Sequence, residues 1–235
     1  MFQRVLFTAC VLALPVGAQA DVLYSQPFAT SSARVSEFAP TGGFRTFDDF
    51  EIFNSVSVES VTFRGLWLGP ETPAPAPAPD ATSWDMGFFT DNGGVPGAAI
   101  ASQIIGAGSV SLVPVVTGEF GFGGPERYNV VVYDLTVTLP TAVTLAGHTR
   151  YWFSPLALSS QYEPWFGWLG SANPSGTGND VTKQIRLNAQ MQPTEVIHVG
   201  RDRAFRLEGT VPEPASLTLL GLAGAAVLVR RRRAR

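Results

Sequence analysis

The sequence predicts an all-β fold: an antiparallel β-sandwich of jelly-roll type, with an N-terminal signal peptide and a C-terminal membrane helix. Apolar residues in the middle of the chain alternate with polar ones and show almost no 3.6-residue period, which indicates half-buried strands. The 235 residues include 24 Gly and 18 Pro but a single Cys and a single Lys, which argues against a helical bundle or a disulfide scaffold. The longest purely apolar segments are confined to the two ends of the chain.

Residues 1–20 have the three parts of a secretory signal peptide. Arg4 gives a short basic region, residues 5–14 are apolar, and Ala18 and Ala20 form a small-x-small cleavage site. A lipoprotein signal at residues 7–10 is the weaker interpretation, because Phe7 does not fit it. Cleavage after Ala20 would remove Cys10 and leave a mature protein without cysteine.

Residues 21–209 form one predicted β-sandwich domain of about ten short strands. Tyr133, Leu135, Val137 and Leu139 alternate with polar residues, as do the apolar residues of 61–67 and 205–207. Glycine-rich turns separate these strands, and no helix-length amphipathic stretch supports a parallel α/β fold. Further strands are predicted at 22–28, 49–54, 84–90, 100–104, 110–116, 149–158, 165–169 and 196–199.

Residues 70–80 interrupt the strands with alternating Ala and Pro. Proline removes every second amide donor and favours polyproline II, so this segment is predicted to be a stiff exposed loop within the domain. Recognition by a proline-binding module is the less favoured alternative, because the composition is generic.

The charge of the chain is unevenly distributed. Residues 21–209 contain 10 basic and 18 acidic side chains, whereas five arginines lie in the last six residues. Nucleic-acid binding requires a basic surface that displaces counterions, so the acidic body excludes nucleic acid as a partner.

Residues 210–235 combine a proline break, an apolar run and a basic end. The apolar run covers 217–229, and a membrane helix over about 214–229 would be about 24 Å long at 1.5 Å per residue. That is short for a bilayer unless the following arginines snorkel to its surface, and their charge predicts a cytoplasmic C-terminus. A buried core helix with a basic tail is the alternative. The basic cluster consists of Arg230, Arg231, Arg232 and Arg233.

The same segment resembles the PEP-CTERM sorting signal of Gram-negative bacteria, also labelled an ice-binding protein C-terminal domain. The resemblance lies in Val211, Pro212, Glu213 and Pro214, followed by the apolar run and the arginines. It implies an exosortase as partner, a transient anchor in the inner membrane, and export to the cell surface or matrix. Proteins with this signal are associated with exopolysaccharide and biofilm. The ice-binding label concerns the tail and is no evidence that residues 21–209 bind ice.

Recognisable catalytic motifs are missing from the sequence. His148 and His198 lack the neighbours of a zinc site, there is no Gly-x-Ser-x-Gly elbow, and Cys10 leaves with the signal peptide. We therefore expect a body that is not an enzyme, namely a structural or glycan-binding module. The alternative is a secreted hydrolase that acts on polysaccharide with paired carboxylates, which sequence spacing does not reveal.

Trp165, Phe166 and Trp168 are the candidate glycan-binding residues, because exposed aromatic rings stack on sugars. Core packing is the competing interpretation. In a strand, Trp165 would point to one face and Phe166 and Trp168 to the other.

Acidic and Asn-rich turns are weak candidates for a structural Ca²⁺, which prefers oxygen ligands. No EF-hand spacing is present, and turn formation explains such residues equally well. The candidates are Asp48, Asp49, Asp91, Asn179 and Asp180.

Overall fold

The computed structural model describes residues 20–69, 79–120, 128–161, 163–171 and 181–212. The predicted signal peptide up to residue 19, most of the Ala-Pro segment, Asn179 with Asp180, and the chain from Glu213 onward lie outside these residues. The described residues form strands, turns and one short 3₁₀ turn, Ala107–Ser109. Within them, no helix is long and apolar enough to cross a membrane.

The first of two sheets is centred on a long strand, β5. One edge of β5 pairs with β14 and, farther along, with β11, and its other edge pairs with β9; every pairing in this sheet is antiparallel. The outer strands are β1 beside β14, β2 beside β11, and β8 beside β9. The strands are β1 (Asp21–Ser25), β2 (Phe28–Val35), β5 (Val56–Leu68), β8 (Val110–Phe120), β9 (Tyr128–Leu145), β11 (Trp165–Ser171) and β14 (Phe205–Thr210).

The second sheet also has seven strands, in the order β13-β12-β4-β3-β10-β6-β7. It is antiparallel except for a two-residue parallel pairing of β10 with β3, beyond which β4 and β10 pair directly. The strands are β3 (Glu37–Ala39), β4 (Gly42–Ile52), β6 (Ala81–Asp91), β7 (Pro96–Gly106), β10 (Thr149–Ser159), β12 (Thr182–Leu187) and β13 (Pro193–Val199).

A shared aromatic core lies between the two sheets. The first sheet contributes Phe63, Trp67, Phe166 and Trp168, and the second contributes Trp84, Phe88 and Phe153, all at most 2% exposed. Many of these rings meet edge to face, as Trp84 does on Phe166 with centroids 4.7 Å apart. Burial of this alternating apolar set holds the sheets face to face, so the predicted all-β sandwich is observed.

The described residues form 14 strands where about ten were predicted, and the differences are largest at β1 and β2, at β4, and at β3 and β12. The strand predicted at 22–28 ends at Ser25, because Pro27 has no amide hydrogen to continue a ladder; Gln26 N still donates to Phe205 O at 2.9 Å. β2 starts at Phe28 and runs to Val35, beyond the predicted stretch. β4 starts seven residues earlier than predicted, at Gly42. β3 and β12 were not predicted, because β3 is only three residues long and β12 has little apolar alternation.

The first and last strands of the sandwich are neighbours. In the antiparallel β1–β14 pair, Asp21 is opposite Gly209, and Thr210 is opposite Ser57 at the start of β5. The chain therefore enters at Ala20 and leaves at Val211 from the same end of the sandwich. We call this the exit end; it also contains the connections 53–55 and 146–148, which adjoin the starts of β5 and β10.

Candidate functional site

The aromatic triplet proposed for glycan stacking is split between the two faces of β11. Phe166 and Trp168 are 0% exposed and pack in the shared core, where Trp168 Nε1 donates to Ala204 O at 3.0 Å. Trp165 is half-buried and packs against a smaller cluster on the opposite face, around Leu66 and Leu169. Phe166 and Trp168 therefore have no face free for a sugar ring, and of the three only Trp165 is accessible in part.

A buried aspartate cluster lies where β4 meets the segment before β14. It consists of Asp48, Asp49 and Asp202, each at most 3% exposed, and one carboxylate oxygen of each lies within 4.8 Å of the others. Oxygen ligands this close could share a hard cation such as Ca²⁺. The structure thus brings together two of the predicted calcium candidates, Asp48 and Asp49, and adds Asp202. The calcium itself stays a prediction.

Asp48 is the most enclosed member of the aspartate cluster. Its Oδ2 accepts the backbone N–H of Arg203 at 2.8 Å, and its Oδ1 lies 3.2 Å from Thr182 Oγ1. The Thr182 hydroxyl donates its single proton to Arg201 O at 2.5 Å. Burial raises the pKa of Asp48 well above its usual range, and the charge of Asp202 adds to this. A protonated Asp48 can donate to the Thr182 hydroxyl, whose own proton is used by Arg201 O.

Two arginines border the aspartate cluster in different ways. Arg150 Nε lies 3.4 Å from Asp49 Oδ2, an ion pair reached from the surface. Arg203 is 0% exposed, and its guanidinium donates to backbone carbonyls, including Arg201 O at 2.6 Å and Ser32 O at 3.1 Å. Burial lowers the pKa of Arg203 to about 10. The arginine ties the segment before β14 to β2 through backbone carbonyls.

Asp91, the third described calcium candidate, has a local role. Its carboxylate accepts Trp152 Nε1–H at 2.8 Å and the backbone N–H of Gly94 at 3.2 Å. The turn is closed by Asn92 N donating to Val95 O at 2.9 Å. These bonds hold the turn and the Trp152 indole, which is a structural role for Asp91.

A second buried carboxyl group lies on β3. Glu37 is 3% exposed, and its Oε2 accepts the backbone N–H of Phe166 at 2.5 Å, which joins the second sheet to the first. Burial, with a smaller contribution from the charge of Asp80, raises the pKa of Glu37 to about 8. The sequence contains no spacing that would have revealed this group, because its partners come from β11 and from the end of the Ala-Pro segment.

A surface cavity of about 280 Å³ lies at the opposite end of the sandwich from the exit end. Its lining includes Gly43 and Phe44 of β4 and Arg186 and Leu187 of β12. The Arg186 guanidinium lies over the Phe44 ring, 5.3 Å from its centroid, and pairs with Glu195 at 3.2 Å. An aromatic ring beside exposed charged groups is a suitable surface for a polar ligand such as a sugar. Sequence analysis missed this pair, because the partners are 142 positions apart and meet only through the β4–β12 register.

No catalytic group that contains a histidine is seen among the residues that the structure describes. His148 lies at the exit end, where its ring meets Phe53 edge to face at 6.0 Å between centroids. The side chain of His198 is outside the described residues.

The segment that follows β14 identifies how the protein is handled. The family model of the PEP-CTERM protein-sorting motif matches residues 210–233, which begin at the last residue of β14. The chain carries a PEP-CTERM sorting motif. This motif is the recognition signal of an exosortase and marks exported proteins that are anchored transiently in the membrane before processing. The predicted resemblance to a PEP-CTERM sorting signal is thus confirmed over residues 210–233. No curated protein matches the chain.

The described part of the PEP-CTERM motif is accessible. Val211 is 41% exposed and Pro212 is also exposed, directly after the hydrogen-bonded end of β14. Ala20, the last residue of the predicted signal peptide, is exposed beside it. Glu213, Pro214 and the four arginines lie outside the described residues.

Proposed function

We propose that the body is a non-catalytic module of the cell surface or extracellular matrix, which an exosortase delivers through the PEP-CTERM motif. The carrying observation is the position of the acidic groups. The carboxylates of the aspartate cluster and of Glu37 are enclosed by packed strands, whereas the pair of a polysaccharide hydrolase must face a cleft. The motif supports delivery, and the rigid two-sheet body supports a structural role.

Glycan binding is the finer form of this proposal, and it is best supported at Phe44 and Arg186. The half-buried Phe44 ring and the Arg186–Glu195 pair adjoin the 280 Å³ cavity, so an apolar surface and hydrogen-bonding groups occur together there. An exopolysaccharide of the producing cell, as in a biofilm matrix, is the proposed ligand class. The jelly-roll type of the sandwich also stays a prediction.

A polysaccharide pull-down with the purified exported protein tests the glycan proposal. We expect Phe44→Ala and Arg186→Ala to reduce retention, and the matched control Val196→Ala, an exposed residue of the neighbouring strand β13, to leave it unchanged. Equal retention of all three variants would remove the cavity from the proposal. Release of new reducing ends from the same polysaccharide would contradict the non-catalytic role and favour the hydrolase.

A further inference from the structure

The exit end holds the most exposed large hydrophobic side chain that the structure describes. Phe53, in the connection between β4 and β5, is 76% exposed, and Val22 and Val211 at the same end are 57% and 41% exposed. A single exposed apolar side chain is ordinary at a protein surface, but here three of them share the end at which the chain enters and leaves the sandwich. The partner of these side chains depends on what the exit end faces.

The positions of the two chain ends indicate what the exit end faces. The strand pair β1–β14 places Asp21 opposite Gly209, so the predicted signal peptide and the sorting motif both leave from the exit end. Residues 211–216 separate β14 from the apolar run that starts at Leu217. Six residues span at most about 20 Å when fully extended. A segment this short keeps the exit end close to the bilayer.

We propose that the exit end is a membrane-contact surface, on which Phe53, flanked by Val22 and Val211, enters the headgroup region of the lipid bilayer while the sorting motif is uncut. The proposal rests on the transient membrane anchor that the motif implies. An apolar ring such as that of Phe53 can be buried at the boundary between headgroups and acyl chains, as the Trp, Phe and Leu side chains of interfacial helices are. Asp21 and Glu59 lie at the same end, and their charges are repelled by anionic lipid, so the contact is weak without the anchor. Cleavage of the motif would then release the body.

A single-cysteine fluorescence experiment tests this contact. Cys10 is the only cysteine, so the full chain with Cys10→Ser accepts one probe at a chosen place. An environment-sensitive label at Asn54→Cys, beside Phe53, is compared with the same label at Met191→Cys, an exposed position at the opposite end of the sandwich. The chain is reconstituted in neutral phosphatidylcholine vesicles that carry a nitroxide near the headgroup.

We expect at least about twofold stronger quenching at Asn54→Cys than at Met191→Cys, because an interfacial contact buries apolar groups about 5–10 Å deep. Phe53→Ser in the Asn54→Cys background should remove most of that difference, and the exposed position of Phe53 means that the fold is retained. Equal quenching at both positions, with the chain bound to vesicles, overturns the proposal. The proposal is also overturned if the label at Asn54→Cys is shielded in cell membranes but not in pure lipid vesicles, because the surface would then bind a membrane protein and not the lipid. A chain that does not float with vesicles contradicts the membrane anchor itself and the contact with it.

Discussion

Glu37→Gln is expected to change how the stability of the protein depends on pH. Glutamine has the shape of a protonated glutamate and keeps an acceptor for the Phe166 N–H, which Glu37 Oε2 accepts at 2.5 Å. The folded protein raises the pKa of Glu37 from 4.5 to about 8, mainly through burial. The folded state therefore holds this proton more tightly than the unfolded state. Its contribution to stability is complete below pH 4.5 and is lost as the pH rises through about 8.

The size of the effect follows from that interval. At about 1.4 kcal/mol per pH unit, the free energy of unfolding of the wild type should fall, relative to that of Glu37→Gln, by at most about 5 kcal/mol between pH 4.5 and 8. The two proteins should be similarly stable at pH 4.5, and the variant more stable at pH 8. Urea denaturation at several pH values, followed by tryptophan fluorescence, measures the difference.

The matched control for this experiment is Glu195→Gln, which removes a carboxylate that is 53% exposed and pairs with Arg186 at the surface. Comparison of each variant with the wild type cancels the titration of all other groups. A difference between wild type and Glu37→Gln that stays constant from pH 4.5 to 8 would refute the assignment of a buried, protonated Glu37.

Five further substitutions test the packing at three places: in β11, at Asp48 and at Gly87. Phe166→Ala should lower the free energy of unfolding by about 3–5 kcal/mol and Trp165→Ala by about 2 kcal/mol, because only the Phe166 side chain is fully buried. Equal losses for the two variants in chemical denaturation would contradict the assignment of Trp165 and Phe166 to opposite faces of β11. At pH 7, the free energy of unfolding of Asp48→Asn should be within about 1 kcal/mol of the wild-type value, because asparagine keeps an acceptor for the Arg203 N–H. Asp48→Ala should lose about 3 kcal/mol, because buried donors lose their acceptor. If urea denaturation shows Asp48→Asn to be the less stable of the two, Asp48 is charged. Gly87→Ala should cost about 1–3 kcal/mol, because a Cβ would overlap Arg45 Nη2 above the second sheet, and an unchanged Tm would show that Arg45 is not held there.

The strands with the clearest alternation were the ones that sequence reasoning placed best. Residues 61–67 and 133–139 lie within β5 and β9, where one face meets the shared core and the other is polar apart from Leu66. β12 was missed, because Thr182 and Lys183 are polar yet buried. Their burial depends on the neighbouring strand β4, which local periodicity does not contain.

The candidate sites were less predictable than the strands, because they depend on register between distant strands. Asp48 and Asp49 were predicted as candidate oxygen ligands, but their proximity to Asp202 results from β4 and the segment before β14 coming together. For the aromatic triplet, the sequence predicted that Trp165 and Phe166 point to opposite faces, but it did not establish which face is the core. By contrast, the PEP-CTERM motif is a contiguous pattern of residue types, so the sequence alone was sufficient to find it.

The central claim is that an exosortase processes this chain at its PEP-CTERM motif during export. Its most direct test is the intact mass of the protein from cells with and without an exosortase, together with a variant in which Pro212 and Pro214 are alanine. We predict that the exosortase-containing cells yield a chain without the apolar run and Arg230–Arg233, exported from the inner membrane. The other two samples should keep the full C-terminus and remain in that membrane. The same C-terminal mass and the same location in all three samples would contradict the account.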